Sequence, residues 1–162
     1  MDLPFEDLWP AKVDFKAVKS PRAILNSQKL FLKQRTGGVL DAEVVTDECD
    51  GVVTLKFILE ATSLDQKAAI LTVEHSSLNP YPCKVFSFAL NRDHVRLREK
   101  VVPSLQTPNQ AEFVKCLTGI FGSDLTIAVI ESLIARVKDK AETELVSSST
   151  QEMRSPDAVA SQ

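Results

Sequence analysis

Two runs of alternating residues meet across an Asp50-Gly51 step, and this pairing constrains the fold more than any other stretch of the chain. In residues 52–60, Val53, Leu55, Phe57 and Leu59 alternate with Thr54, Lys56, Ile58 and Glu60. That is the period-two pattern of a strand with one buried face. In residues 39–45, Leu40, Ala42 and Val44 alternate with Asp41 and Glu43. Asp-Gly between such runs suits a tight hairpin turn, so residues 39–60 are expected to form a β-hairpin.

Two further strands are expected. Residues 68–75 carry Ile70, Leu71 and Val73, and residues 83–90 carry Phe86, Phe88 and Leu90 on one face. Asn79-Pro80-Tyr81-Pro82 separates them, because proline has no N–H to give to a central strand. Short connections between four strands imply an antiparallel meander.

Helices bracket the sheet. Ser20 followed by Pro21 is a helix start, and Ile24, Leu25, Phe31 and Leu32 recur at helical spacing up to the stop at Thr36-Gly37-Gly38. Thr107-Pro108-Asn109-Gln110 resembles a capping box, with Thr107 as the cap. Phe113, Leu117, Ile120 and Phe121 then form an apolar stripe that ends at Gly122-Ser123. Ser123 caps a last helix to about residue 142, with Leu125, Val129, Leu133, Ile134 and Val137 inward.

The expected fold is therefore α+β. A four-stranded antiparallel meander sheet carries one N-terminal and two C-terminal helices, packed mainly on one face. Three regions follow. Residues 1–19 are an irregular arm with Phe5, Leu8 and Trp9, residues 20–142 a single domain, and residues 143–162 a Ser/Thr/Gln/Ala-rich disordered tail. A hydrophobic fraction of 44% and a charged fraction of 25% suit a globular body.

The formal net charge of −3 gives no global pull toward nucleic acid or an anionic membrane. Cys49, Cys83 and Cys116 are odd in number and widely spaced, which argues for reduced thiols. The N-terminus has no basic-then-apolar pattern of a secretory signal, and no apolar run reaches the ~18 residues of a membrane span. A cytoplasmic chain without membrane attachment is the expectation.

Few residue groupings suggest chemistry. His75 follows Glu74 and His94 follows Asp93, but strand neighbours point to opposite faces and neither histidine sits in a metal-spaced motif. A Cys83–His75 thiolate pair is conceivable in chemistry but not demanded by spacing. Gly37-Gly38 follows a helix and does not open one, so it is no phosphate cradle. Tyr81, the only tyrosine, lies between two prolines in a turn. No stretch matches a family motif, and no cofactor and no metal are expected.

Two surfaces stand out. Read as a strand, residues 92–100 put Arg92, His94, Arg96, Arg98 and Lys100 on one side, a row that would hold phosphate or carboxylate groups. On the sheet's outer face, Ile58, Ile70 and Val85 are expected to merge into an apolar patch among Asp41, Glu43, Glu60 and Glu74. The leading expectation is a non-enzymatic protein-interaction module: an adaptor, an assembly factor or a partner-neutralising protein. It would use that sheet face or an edge to bind a protein partner or a second copy of itself. The alternatives are an anion-binding domain for nucleic acid or a phosphorylated ligand on 92–100, and an enzyme whose residues come from distant loops.

Overall fold

The computed structural model describes residues 18–90 and 102–152. Helix α1 (Pro21–Arg35) begins as the sequence dictates: the Ser20 hydroxyl accepts from the Ala23 N–H at 3.2 Å and Pro21 takes the first helical position. The Thr36 hydroxyl ends it, donating to the Leu32 carbonyl at 2.9 Å and accepting from the Leu40 N–H at 3.2 Å.

Strands β1 (Asp41–Cys49) and β2 (Val52–Ala61) form the expected hairpin. Asp50 and Gly51 both take left-handed backbone angles, φ 51° and 75°, the pair that matches the twist of a two-residue hairpin. Strand β3 (Gln66–Ser76) returns alongside β2, and β4 (Cys83–Phe86) alongside β3.

A fifth strand, β5 (Ser104–Thr107), completes one open antiparallel sheet in the order β1-β2-β3-β4-β5. Four strands were expected. The fifth is too short to show an alternation, and Thr107 reads as a helix cap because Pro108 follows it. Thr107 instead pairs with Cys83, and the cap of helix α2 (Gln110–Phe121) is Asn109, whose side chain accepts from the Glu112 N–H at 2.9 Å.

Helix α3 (Asp124–Glu152) starts at Ser123, whose hydroxyl accepts from the Thr126 N–H at 3.2 Å. It does not stop near residue 142. Residues 143–152, expected as disordered tail, continue the helix with their described side chains in solvent. The Thr143, Ser147 and Thr150 hydroxyls turn back onto the carbonyls of Asp139, Thr143 and Val146, four residues earlier. Residues 1–17 of the expected arm and 153–162 of the expected tail lie outside the described residues.

One hydrophobic core joins the helices to one sheet face. Leu55, Phe57 and Leu59 of β2, Leu71 and Val73 of β3, and Cys83 and Val85 of β4 meet Ile24 and Leu25 of α1, Phe113, Leu117 and Ile120 of α2, and Leu133 of α3. Full burial of each such large side chain is worth roughly 1.5–3 kcal/mol. The Phe57 and Phe121 rings are tilted at 55° with centroids 5.4 Å apart. Among the described residues, no single helix is long and apolar enough to cross a membrane.

Candidate apolar cleft between the helices

The site begins with a register shift. Along β2 and β3, Phe57 pairs with Leu71 but Ile58 pairs with Ala69, which leaves Ile70 without a partner. This is a β-bulge, and it turns the bulged residue away from strict alternation. Ile70 packs against the core, on the helix side of the sheet. The Ser87 hydroxyl, in a residue only 2% exposed, donates to the Ile70 carbonyl at 2.8 Å.

Ile70 joins Phe57 and Leu59 as the floor of a cleft enclosing about 240 Å³. Phe31 and Leu32 of α1 form one wall, and Phe121 of α2 with Ile130 of α3 the other. Gln28, Arg35 and Thr126 supply its polar positions. Phe31 is 52% exposed and Leu30 beside it 61%, because the buried residues of α1, Pro21, Ile24 and Leu25, lie in its first half and only Leu32 of the second half packs partly against the core. The Thr126 hydroxyl is 3.0 Å from the Ser123 hydroxyl. Among the described residues, neither Arg35 nor Gln28 has an ion pair or side-chain hydrogen bond.

The structure does not bring the expected outer patch together. Val85 is fully buried in the core, because its pairing with Val73 sets Cys83 and Val85 inward and Lys84 and Phe86 outward. The strand also ends at Phe86, and Phe88–Leu90 form a 3-10 turn, so the expected inward row of Phe86, Phe88 and Leu90 does not exist. Ile70 is on the helix side at the bulge. Only Ile58 keeps to the outer face, where Lys67 reaches both Glu43 at 3.2 Å and Glu60 at 3.7 Å around it. These neighbours raise the Lys67 pKa, first through the hydrogen bond to Glu43. Of the other apolar residues on that face, Val45 and Phe86 are separated across the sheet by Lys56 and Thr72, and Val52 is separated from Ile58 along β2 by Thr54 and Lys56. The basic row Arg92, His94, Arg96, Arg98 and Lys100 lies outside the described residues.

Two of the three thiols are buried, and Cys83 pairs with His75 across β3 and β4. Burial pushes the Cys83 and Cys116 thiols up, which keeps them neutral, and the Thr107 hydroxyl 2.9 Å from Cys83 opposes that only in part. His75 Nδ1 lies 2.7 Å from the Ser76 carbonyl oxygen. Among the described residues, no group of three or more His, Cys, Asp or Glu side chains is placed to hold a metal ion.

The cleft was hidden from sequence reading because its floor depends on one extra residue in β3. Its lip differs from the sequence expectation as well: spacing groups Phe31 with Ile24, Leu25 and Leu32 in one apolar stripe, whereas Phe31 lies at the edge of that stripe and is half exposed. Compared with protein-family models, curated proteins and solved structures, the chain matches none of them.

Proposed function

We propose that the protein is a non-enzymatic interaction module that seats an apolar side chain of a protein partner in the cleft between α1 and α3. The observation that carries this is the half-exposed Phe31 at the lip of a concavity floored by Phe57, Leu59 and Ile70. A large aromatic side chain held in water beside an apolar hollow gains free energy when a partner covers both. At about 240 Å³ the cleft is smaller than the ~300–1,000 Å³ of whole-ligand sites, which suits a single inserted side chain. The charged network around Ile58 makes the outer sheet face a poorer docking surface.

The test is affinity purification of the full chain from its source cells, followed by proteins recovered in stoichiometric amount. A partner retained by wild type and by Ile58→Asp, but lost with Phe31→Asp, supports the cleft. A partner lost with Ile58→Asp and kept with Phe31→Asp moves the interface to the sheet face. No stoichiometric protein with wild type or with a Trp9→Ala chain overturns the interaction reading.

A further inference from the structure

We propose that the cleft has an occupant within the same chain: the segment of residues 2–9, with Trp9 as the side chain seated between α1 and α3. This rests on the reading of the cleft as an apolar side-chain site. It adds self-occupation, and so a partner that must displace the arm.

Charge complementarity selects the segment. Helix α1 carries Arg22, Lys29, Lys33 and Arg35 and has no acid along its length. Lys33 is engaged by Asp41 at 2.9 Å, whereas Arg35 lines the cleft without an ion pair among the described residues. Residues 2–9 carry Asp2, Glu6 and Asp7 and no base, interleaved with Leu3, Phe5, Leu8 and Trp9. Carboxylates near a guanidinium form charge-assisted hydrogen bonds, and an indole fills an apolar hollow at low conformational cost.

The arm is tethered where it needs to be. Tyr81 donates its hydroxyl to the Lys19 carbonyl at 2.9 Å, and the Lys19 N–H donates to Gln110 Oε1 at 2.8 Å. The chain therefore leaves the body at a fixed point beside the first turn of α1. Phe31 stands about 20 Å along the helix from Val18, and the residues between Trp9 and Val18 can span up to about 30 Å. A short tether gives an effective concentration of order millimolar, well above that of a second molecule in a dilute solution.

Trp9 is the only tryptophan, so its fluorescence reports the arm alone in the full chain. In wild type its emission is expected to be blue-shifted and shielded from acrylamide relative to the urea-unfolded chain. Arg35→Glu and Phe31→Asp should each move the emission to the red and raise quenching severalfold, with far-ultraviolet circular dichroism unchanged. Adding Glu6→Lys to Arg35→Glu should restore the shielded spectrum, and Ile58→Asp should leave it as in wild type.

Trp9 already as exposed as in the unfolded chain would overturn the proposal. So would a shielded Trp9 indifferent to Arg35→Glu and Phe31→Asp, which would put the arm elsewhere, such as the groove beside Val18 lined by Pro80, Tyr81 and Pro108. Shielding that disappears on dilution would mean a second copy's arm and would equally overturn it. Partner capture is read separately: Trp9→Ala should raise the yield severalfold if the arm competes. A yield unchanged by Trp9→Ala but abolished by Phe31→Asp would end self-occupation and leave the interaction reading standing.

Discussion

The Ser87 hydroxyl donates to the Ile70 carbonyl at 2.8 Å and also accepts from the Ala89 N–H at 3.2 Å. One small side chain thereby satisfies the carbonyl of the bulged residue in β3 and opens the 3-10 turn that follows β4. The bulge is what aims Ile70 into the cleft, so the shape of the cleft depends on a hydroxyl on a neighbouring segment.

Ser87→Ala should therefore act on both stability and site. Losing the hydroxyl leaves the Ile70 carbonyl without this donor in a part-buried setting, at a cost of about 1–3 kcal/mol. Urea unfolding should show a lower midpoint with an unchanged slope. Partner capture through the cleft should weaken, while Ser87→Thr, which keeps the hydroxyl, should be less damaging in both measurements. Wild-type stability in Ser87→Ala would refute the role given to this bond.

How much was legible follows from the same residues. The hairpin, the Ser20 and Ser123 caps and the inward set Leu55, Phe57 and Leu59 follow from alternation and capping chemistry, which act within a few residues. Ile70 and Val85 were misplaced because alternation carries no phase across a bulge or into a strand of four residues. Strand β5 was hidden because Thr107 satisfies a cap motif as well as a strand end, and only the long-range partner Cys83 decides between them. Residues 143–152 looked like a tail because serine and threonine disfavour helix interiors; here the helix continues and their hydroxyls bond to carbonyls four residues back, within its own backbone ladder.

Tyr81 offers a titration without overlap, because it is the only tyrosine. Burial, with a smaller contribution from Cys83, pushes its phenol from 10.0 up to about 12. The folded state thus holds its proton where the unfolded state has lost it. The stabilisation is fully present below pH 10 and is lost as pH rises through about 12. The tyrosinate absorbance band should appear about two units later in the folded chain than in urea. Coincident titration curves would contradict the packing of Tyr81 against Phe113 and its bond to Lys19.

Gly51 tests the hairpin. A Cβ there would meet nothing closer than the Ser77 hydroxyl at 3.8 Å, so space is not the constraint. The constraint is φ of 75°, which an L-residue adopts at a cost of roughly 1–2 kcal/mol. Gly51→Ala should destabilise by about that amount. Gly119→Ala, inside α2 with nothing within 4 Å of its Cβ, should instead stabilise by about 0.5–1 kcal/mol. Thermal unfolding of the pair gives opposite signs if the backbone, and not crowding, governs each site.

Thr107 and Cys83 fasten β5 to β4. The Thr107 hydroxyl donates to the Cys83 carbonyl at 3.1 Å, and its oxygen lies 2.9 Å from the Cys83 sulfur, with both residues almost fully buried. Thr107→Val keeps the shape and removes the hydroxyl, which should cost about 1–3 kcal/mol because the buried carbonyl and thiol lose a partner together. Thr107→Ser keeps the hydroxyl and gives up one methyl group, worth about 0.8 kcal/mol. The thiols report the same event kinetically. Cys49 is exposed, while Cys83 and Cys116 are buried. In wild type one thiol should react quickly with a disulfide reagent and the other two only as the chain opens. If the hydroxyl holds the edge strand, Thr107→Val should speed the reaction of Cys83 severalfold and Thr107→Ser should not. Equal rates in all three proteins would show that β5 is held by its backbone pairing alone.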